Sequence, residues 1–352
     1  MERPVEVACV QVEPVVLDRE ATLDKLETVA AEAAREGAGL VVFPETFVPV
    51  YPSSVWAKAF AGWEASGAKE TFARLAQESI AVGSPAERRI GAAAQELGIW
   101  IVTGVNEVDP ERPGTIYNAL LYHSPSGELA LHHRKLVPTN HERLVWGQGD
   151  GRGLEAVETG FGRIGGLICW ENYMPLARVA LYESGVEIYV ASTADDGDAW
   201  QQTLVHIARE SRAYVVAPAH FQRESAYPTD FPLVAEIEGA GTIGRGGSAI
   251  LAPDGSYLAG PLYDEEGILY AELDPARLLA EQQRFDPVGH YSRPDVLQLN
   301  VRVDGARTSR RPSAESARPG AGTRRRRPIP SSRSTPSTRT RRSRRRRGAT
   351  AS

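Results

Sequence analysis

The 352-residue sequence predicts a layered α/β fold, in which two covered sheets face each other and helices lie outside them. Short β-branched or apolar runs alternate with amphipathic helical segments over the first 300 residues, which is the pattern of a layered α/β domain. In addition, each half of this region contains one similar β-hairpin, and the repetition hints at a pseudo-symmetric pair of sheets.

The first half begins with an apolar strand and an amphipathic helix. Leu23, Leu26, Ala30 and Ala33 follow helical spacing, and Gly37 then supplies a stop signal. The predicted elements are, in order, strand 5–12, helix 19–36, strand "GLVVFPE" (39–45), helix 86–97 before Gly98, strand "IWIVTGV" (99–105) and the hairpin 118–136 around a Pro-x-Gly turn.

The second half repeats the alternation of strands and helices. Pro175 stands in the first turn of its first helix, where the missing N–H has no cost. The predicted elements are strand 163–168, helix 175–184, strand "VEIYVAS" (186–192), helix 199–212, strand "YVVAPA" (214–219) and the hairpin 247–263, which has its own Pro-x-Gly turn.

Charge divides the chain into two regions. Residues 1–301 carry 23 basic and 43 acidic residues, whereas residues 302–352 carry 17 and 2. The second region lacks aromatic and almost all aliphatic residues, so we expect a folded domain over 1–301 and a disordered Arg/Ser/Pro-rich tail over 302–352. Clustered arginine also suggests nucleic-acid binding, but the absence of stacking aromatics and the acidic body make this the weaker alternative.

Several classes of protein are excluded by simple features. Cys9 and Cys169 are the only cysteines, so no disulfide framework is possible and a reducing cytoplasm is the expected compartment. The N-terminus lacks the apolar core of a signal peptide, and no run of 18 apolar residues predicts a membrane span. Neither a phosphate loop nor a calcium loop has the required spacing.

Cys169 is the candidate nucleophile. It stands in "LICWENYMPLAR", where an apolar strand gives way to a helix, so backbone N–H groups are close by. A thiol with an ordinary pKa near 8.5 is mostly protonated at pH 7, and it needs a neighbouring cation or base to react. Cys9 lies inside an apolar strand and is interpreted as a small core residue.

Lysine and glutamate provide the candidate partners. The chain has only four lysines, and Lys135 alone opens a long polar and aromatic segment after the first hairpin, whereas Lys58 and Lys69 fall in a region interpreted as a loop. Glu45 directly follows the buried run "VVFP", at the strand end where α/β folds bind ligands. None of the seven histidines occurs in a Cys-His protease pattern.

These residues resemble a known family. Glu45 in "FPE", Lys135 in "HRKL" and Cys169 in "CWEN" resemble the Glu-Lys-Cys triad of the nitrilase (carbon–nitrogen hydrolase) superfamily, and Glu142 in "NHERLVWGQGDG" resembles its second glutamate. The blocks "GGSAILAPDG", "GPLYDEEGILYAELD" and "DPVGHYSRPDV" resemble its later motifs, so the resemblance covers about residues 5 to 300. It implies a four-layer α-β-β-α sandwich and no metal or organic cofactor.

Within the superfamily, "CWENYMPL" looks like the true nitrilases. The resemblance therefore implies that a nitrile and water are the substrates, with Cys169 as nucleophile, Glu45 as base, Lys135 as stabilising cation and Glu142 as its orienting partner. Amidases and cyanide-degrading members remain open alternatives. Association into dimers and spirals is also implied by the resemblance alone.

Aromatic and polar residues near the triad are the candidate substrate contacts. Tyr51, Trp56, Trp170, Tyr173 and Met174 would form an aromatic wall suited to hydrocarbon bodies, although ordinary core positions explain each of them equally well. Glu171 and Asn172, which follow Trp170, complete the predicted substrate-binding set of Tyr51, Trp170, Glu171, Asn172 and Tyr173. The sequence does not separate aliphatic, arylaliphatic and aromatic nitriles.

Overall fold

A computed structural model describes residues 1–62 and 64–303. The tail predicted over 302–352 lies almost entirely outside these residues. This concerns the predicted domain boundary at residue 301, the predicted disorder of the tail and the alternative of nucleic-acid binding. These three remain predictions. No helix among the described residues combines the length and the apolar character that crossing a membrane requires.

Thirteen strands form two sheets in the described chain. The strands are β1 (Val5–Gln11), β2 (Ala38–Val42), β3 (Trp100–Asp109), β4 (Arg112–His123), β5 (Leu129–Arg134), β6 (Val157–Glu158), β7 (Arg163–Gly166), β8 (Ile188–Val190), β9 (Tyr214–Ala217), β10 (Phe221–Arg223), β11 (Thr242–Leu251), β12 (Tyr257–Tyr263) and β13 (Gly267–Leu273). The first sheet has the order β13-β1-β2-β3-β4-β5, and the second has the order β10-β11-β9-β8-β7-β6, with β12 also paired to β11.

Within the described residues, eight α-helices connect these strands or flank them. They are α1 (Arg19–Arg35), α2 (Ser54–Ala57), α3 (Ala68–Glu78), α4 (Pro85–Leu97), α5 (Pro175–Glu183), α6 (Asp198–Ser211), α7 (Val234–Ile237) and α8 (Pro275–Arg284). Short 3₁₀ turns occur at Lys58–Ala61, Asn140–Leu144, Cys169–Tyr173 and Glu224–Ala226.

Three apolar cores separate four layers. One core lies between the sheets and contains Cys9 and Val42 from the first sheet with Val190 and Val216 from the second. Because successive strand residues face opposite sides, the neighbouring residues form the outer cores. One of these lies under α1 and α4, and the other lies under α5 and α6. The predicted α-β-β-α sandwich is confirmed.

The predicted pseudo-symmetry is visible in the strand pairings. In each half, three successive strands pair in parallel, β1-β2-β3 in the first sheet and β7-β8-β9 in the second. An antiparallel hairpin follows each set, formed by β4 with β5 and by β11 with β12. The two hairpins predicted from Pro-x-Gly turns are therefore confirmed.

The segment between the first two long helices differs from the sequence prediction. The region of Lys58 and Lys69 is interpreted as a loop from the sequence, but it contains α2, a 3₁₀ turn and α3, with Lys58 in the turn and Lys69 in α3. Aromatic side chains of this segment pack together, and their burial stabilises the helices. The glycine and polar residues between them hide the helical spacing in the sequence. The predicted loop was wrong.

Gly104 allows the chain to cross β3 immediately after β2. A Cβ atom at this position would lie 2.1 Å from the carbonyl oxygen of Pro44 and 2.5 Å from the amide nitrogen of Thr46. Both atoms belong to the backbone on either side of Glu45, and backbone cannot move aside as a flexible side chain can. A side chain at residue 104 would therefore displace Glu45.

Replacing Gly104 with alanine is expected to lower the free energy of unfolding by about 1–3 kcal/mol, because the added methyl group overpacks against backbone. Gly114→Ala is the matched control, since Gly114 also lies in a strand and nothing surrounds its missing Cβ within 4 Å. Denaturant unfolding measures both variants. Equal stability of the two variants would contradict the close approach.

Candidate active site

Glu45 lies in the turn that follows β2 and is completely buried. Its Oε1 accepts hydrogen bonds from Lys135 Nζ at 2.9 Å and from Asn118 Nδ2 at 2.6 Å. Its Oε2 has no hydrogen-bond partner within the described residues. One carboxylate oxygen is thus held in place, and the other is available to accept a proton.

Lys135 directly follows β5, and its side chain is buried with 1% exposure. The ammonium group donates to Glu45 and, at 2.7 Å, to Glu142 Oε2. The Trp146 ring covers it at 5.6 Å. Because an ammonium group has three N–H donors, these two bonds leave one donor for a reacting group.

Cys169 begins a 3₁₀ turn after β7 and has a left-handed backbone with φ of 52°. Such a conformation costs an L-residue roughly 1–2 kcal/mol. The Cys169 amide donates to Ser192 O at 2.8 Å, and the Thr193 side chain lies near the sulfur, where it lowers the pKa of the thiol. The second sheet therefore holds the turn in its strained form.

The structure brings the predicted triad and Glu142 into one buried cluster. A carboxylate oxygen of Glu45, one of Glu142 and the Cys169 sulfur lie within 4.8 Å of one another. With both glutamates ionised and a neutral thiol, the cluster carries one positive and two negative charges. Moving the thiol proton to Glu45 leaves that total unchanged, which avoids adding charge to a dry interior.

The cluster also fixes where protons reside. Burial raises the pKa of the Cys169 thiol, and the negative charge of Glu45 raises it further. Burial likewise raises the pKa of Glu45, which makes its carboxylate a better proton acceptor near neutral pH. Burial lowers the pKa of Lys135, but Glu45, Cys169 and Glu142 outweigh this and raise it, so the ammonium keeps its charge.

Glu142 differs from Glu45 because both of its oxygens are engaged. Oε1 accepts from the Tyr51 hydroxyl at 2.9 Å, and Oε2 accepts from Lys135 and, at 2.6 Å, from the Thr139 amide. Glu142 lies within the 3₁₀ turn Asn140–Leu144 that follows Lys135 and caps its start through the Thr139 amide. This carboxylate is suited to holding the lysine rather than to accepting protons.

The oxygen and sulfur atoms of Glu45, Glu142 and Cys169 also have the spacing of a metal site. The Lys135 ammonium is bonded to both carboxylates and supplies the positive charge that a metal ion would bring. The two carboxylates are therefore already paired with a cation, and the neutral thiol adds no charge. The donor set therefore fits an ammonium-centred cluster better than a metal centre.

The predicted aromatic wall is found only in part. Trp170, Tyr173 and Met174 are partly exposed beside the nucleophile, with the Trp170 and Tyr173 rings 5.5 Å apart. Tyr51 is half-buried on the other side of the cluster. Trp56 is fully buried, donates from Nε1 to the Tyr227 hydroxyl at 2.7 Å and belongs to a separate core, so its expected place in the wall was wrong.

Glu171 and Asn172 do not point polar atoms at a substrate. Both Glu171 oxygens accept hydrogen bonds from within the protein, including one from His133 Nε2 at 2.8 Å. Asn172 donates to Leu167 O and Cys169 O, and it accepts from the Tyr189 hydroxyl. The expected substrate contact fails because the turn after Cys169 directs these side chains inward.

Sequence reasoning missed three residues that contact the site. Asn118 lies in the middle of β4 and Thr193 follows β8, and the latter position could have been recognised as a strand end like that of Glu45. His220 is buried, its ring lies 5.6 Å from the Tyr51 ring, and burial lowers its pKa to about 3. His220 is therefore neutral at physiological pH.

Comparison with known proteins adds independent information. The sequence matches the family described as carbon-nitrogen hydrolase over residues 6–280. It is 42% identical over 294 residues to an aliphatic nitrilase of Sinorhizobium fredii, a match that covers 84% of this chain and 94% of the relative. It is 40% identical over 302 residues to a bifunctional nitrilase/nitrile hydratase of Nicotiana tabacum, covering 85% and 86%.

Solved structures share the fold. The carbon-nitrogen hydrolase of Helicobacter pylori G27 superposes with a TM-score of 0.67 at 21% identity, over 84% of this chain and 97% of that one. At this identity the similarity concerns the fold and not the substrate.

Proposed function

We propose, from the premise that this chain belongs to the carbon–nitrogen hydrolase family, that it is a nitrilase that hydrolyses an organic nitrile to the carboxylic acid and ammonia. The observation that carries the proposal is the buried cluster of Glu45, Lys135 and Cys169, in which a thiol, a free carboxylate oxygen and an ammonium group meet. Relatives named nitrilases at about 40% identity support a nitrile over an amide as the substrate.

The first half of the reaction forms a covalent intermediate. Glu45 Oε2 accepts the thiol proton while the Cys169 sulfur attacks the nitrile carbon, so an S–C bond forms and one C–N π bond breaks. The nitrogen takes up that proton, and the nitrile becomes a thioimidate bonded to Cys169. A water molecule, deprotonated by Glu45, then adds to the same carbon while the remaining C–N π bond breaks and the nitrogen takes the proton from Glu45. The tetrahedral species collapses to a thioester as the C–N σ bond breaks, and the nitrogen leaves as ammonia with the proton of the new hydroxyl group.

The second half releases the acid. The remaining thioester is attacked by a second water, again with Glu45 as base, and the C–S bond breaks to return the thiol. Each tetrahedral species carries negative charge, which the third N–H of Lys135 and the backbone N–H groups beginning the turn at Trp170 would stabilise. Glu142 and Tyr51 hold Lys135 in the orientation that this requires.

A substrate panel tests the reaction type and the substrate class together. We expect ammonia release from at least one of valeronitrile, phenylacetonitrile and benzonitrile, with rates at least tenfold above those of the matching amides. A site shaped for a linear nitrile stabilises the transition state of a planar amide less well, and a tenfold ratio of rates corresponds to roughly 1.4 kcal/mol of such stabilisation. Turnover of the amides alone would establish the amidase alternative, and turnover of potassium cyanide alone would establish the cyanide-degrading one.

We also propose that the chain acts as a homo-oligomer in the cytoplasm. Several apolar side chains are strongly exposed near the end of the described chain, namely Leu279, Tyr291, Val296 and Leu297. Large apolar side chains left exposed in one part of a chain are typical of association surfaces. The two free thiols, one of them the proposed nucleophile, fit a reducing compartment.

A further inference from the structure

We infer that Glu171 is a positioning residue, which fixes the separation of Cys169 and Lys135 by joining the two backbone segments that carry them. This inference rests on the proposed function, because it assigns Cys169 and Lys135 to one reaction. It gives Glu171 a role different from the substrate contact expected from the sequence.

The hydrogen bonds of Glu171 carry the inference. Oε1 accepts from the amide of Leu136 at 2.7 Å, and Oε2 accepts from the amide of Ile168 at 2.9 Å. Leu136 directly follows Lys135, and Ile168 directly precedes Cys169. A single carboxylate is therefore bonded to one backbone N–H beside each reacting residue.

This connection spans the two sheets. Lys135 follows β5 of the first sheet, whereas Cys169 follows β7 of the second. The ion-pair partners of Lys135, Glu45 and Glu142, both come from the first half of the chain and do not fix its distance from the second sheet. Glu171, which belongs to the nucleophile's own turn, supplies that restraint.

The third hydrogen bond makes the connection rigid. His133 Nε2 lies 2.8 Å from Glu171 Oε2, and the side chains of both residues are fully buried. Burial alone would raise the pKa of Glu171. The hydrogen bonds from His133 and from the two backbone amides outweigh this effect and hold the pKa below its usual range, so Glu171 is a carboxylate at neutral pH. Hydrogen bonds to a buried charge are short and strong, and three of them leave this side chain little freedom.

The chain provides a matched control in a second buried pair of the same type. His123 Nε2 lies 2.7 Å from Glu87 Oε1, and the other Glu87 oxygen accepts from the Gly83 amide at 3.0 Å. This pair joins β4 to α4 and makes no contact with the backbone beside Lys135 or Cys169. It therefore reproduces the chemistry of the His133–Glu171 pair without its location.

Glu171→Gln and Glu87→Gln should be compared in the full chain. In Glu171→Gln, the amide NH₂ faces a backbone N–H donor, so one of the two backbone bonds is lost. We expect kcat for the best nitrile of the panel to fall about 10²-fold, the loss typical of a misplacement of about 1 Å, with KM changed less than about threefold. We expect Glu87→Gln to keep the wild-type kcat despite a comparable loss in Tm.

Alkylation of Cys169 by iodoacetamide, followed by mass spectrometry as a function of pH, supplies a second measurement that needs no nitrile. We expect the pH profile of alkylation to shift in Glu171→Gln, because the Lys135 charge no longer stands at its original distance from the sulfur, and to stay unchanged in Glu87→Gln. If the wild-type protein hydrolyses no nitrile, the proposed function fails, while alkylation still decides the role of Glu171.

A folded Glu171→Gln variant with wild-type kcat and wild-type alkylation would overturn the inference. So would an equal loss of kcat in Glu87→Gln, since the effect would then be one of general stability. If Glu171→Gln does not fold, His133→Leu removes only the third bond, and His133→Gln keeps an N–H donor near the position of Nε2. We expect the glutamine variant to retain more activity, and equal activity of the two would also overturn the inference.

Discussion

Replacing Cys169 with alanine is expected to abolish nitrile turnover, with a loss of kcat on the order of 10⁵–10⁶-fold, as for nucleophiles whose removal prevents the covalent step. The variant should remain folded, because alanine keeps the Cβ at the same left-handed position and Cys169 contributes only one buried sulfur. Ammonia release measures the loss. Mass spectrometry of the acid-quenched wild-type enzyme should find the acyl group on the peptide that contains Cys169.

Cys9→Ala is the control for this prediction. Cys9 lies in the core between the sheets, where its sulfur meets the carbonyl oxygen of Ala249 at 3.9 Å, and burial raises the pKa of its thiol. We expect wild-type kcat and a loss of about 1 kcal/mol in the free energy of unfolding, as for removal of one buried heavy atom. Loss of turnover in Cys9→Ala, or more than 1% of wild-type kcat in Cys169→Ala, would contradict the assignment.

The layers of the fold could be predicted because they depend on local patterns. Apolar runs and helical spacing give the strands and helices, and Pro-x-Gly turns give the two hairpins. Four of the predicted strands end two or three residues too late, as in β2, which ends at Val42 rather than at Glu45. The apolar pattern continues past the last ladder hydrogen bond, because the turn that positions Glu45 is also buried.

The triad could be predicted for a related reason. Glu45 and Cys169 follow the ends of buried strands and Lys135 follows the end of a hairpin, so position marks each of them as a candidate, and the resemblance to the nitrilase superfamily joins the three into one triad. The partners that tune them could not be predicted in the same way. Asn118 and Glu171 act across 73 and 35 residues of sequence. Asn118 reaches Glu45 within the first sheet, whereas Glu171 reaches the Leu136 amide only because the two sheets face each other.

The aromatic residues illustrate the limit of composition. Trp56 and Trp170 both stand near the triad in sequence, but one is completely buried and the other is 51% exposed. Their difference arises from α2 and α3, whose packing carries Trp56 into a separate core with Phe60 and Phe231. Because no local pattern predicts these helices, the burial of Trp56 in that core could not be predicted either.

Glu45→Gln is expected to lower kcat by about 10³–10⁴-fold, the upper part of the range for loss of a general base. Glutamine has the same shape, so Oε1 can still accept from Asn118 and Lys135. What disappears is the free Oε2, which alone can take the proton from the Cys169 thiol. Single-turnover ammonia release measures the effect on chemistry, and an unchanged circular-dichroism spectrum is the control for folding.

The pH profile separates the base from a merely structural carboxylate. Because burial raises the pKa of Glu45, the wild-type kcat/KM should fall as pH decreases through a pKa above the ordinary glutamate value of about 4.3. The residual activity of Glu45→Gln should not show this decrease at low pH. If Glu45→Gln still loses activity as pH decreases through the same pKa, another group causes that loss, and Glu45 is not the base.

Stability should move in the opposite direction from activity in this variant. A carboxyl group whose pKa is raised in the folded state contributes most below its unfolded pKa, and that contribution is lost as pH rises through the folded pKa. At neutral pH the ionised Glu45 therefore destabilises the fold, and glutamine removes this penalty while leaving Lys135 paired with Glu142. Chemical denaturation at pH 7 should accordingly find Glu45→Gln at least as stable as the wild type. The reaction needs the buried carboxylate of Glu45, and that buried charge lowers the stability of the fold.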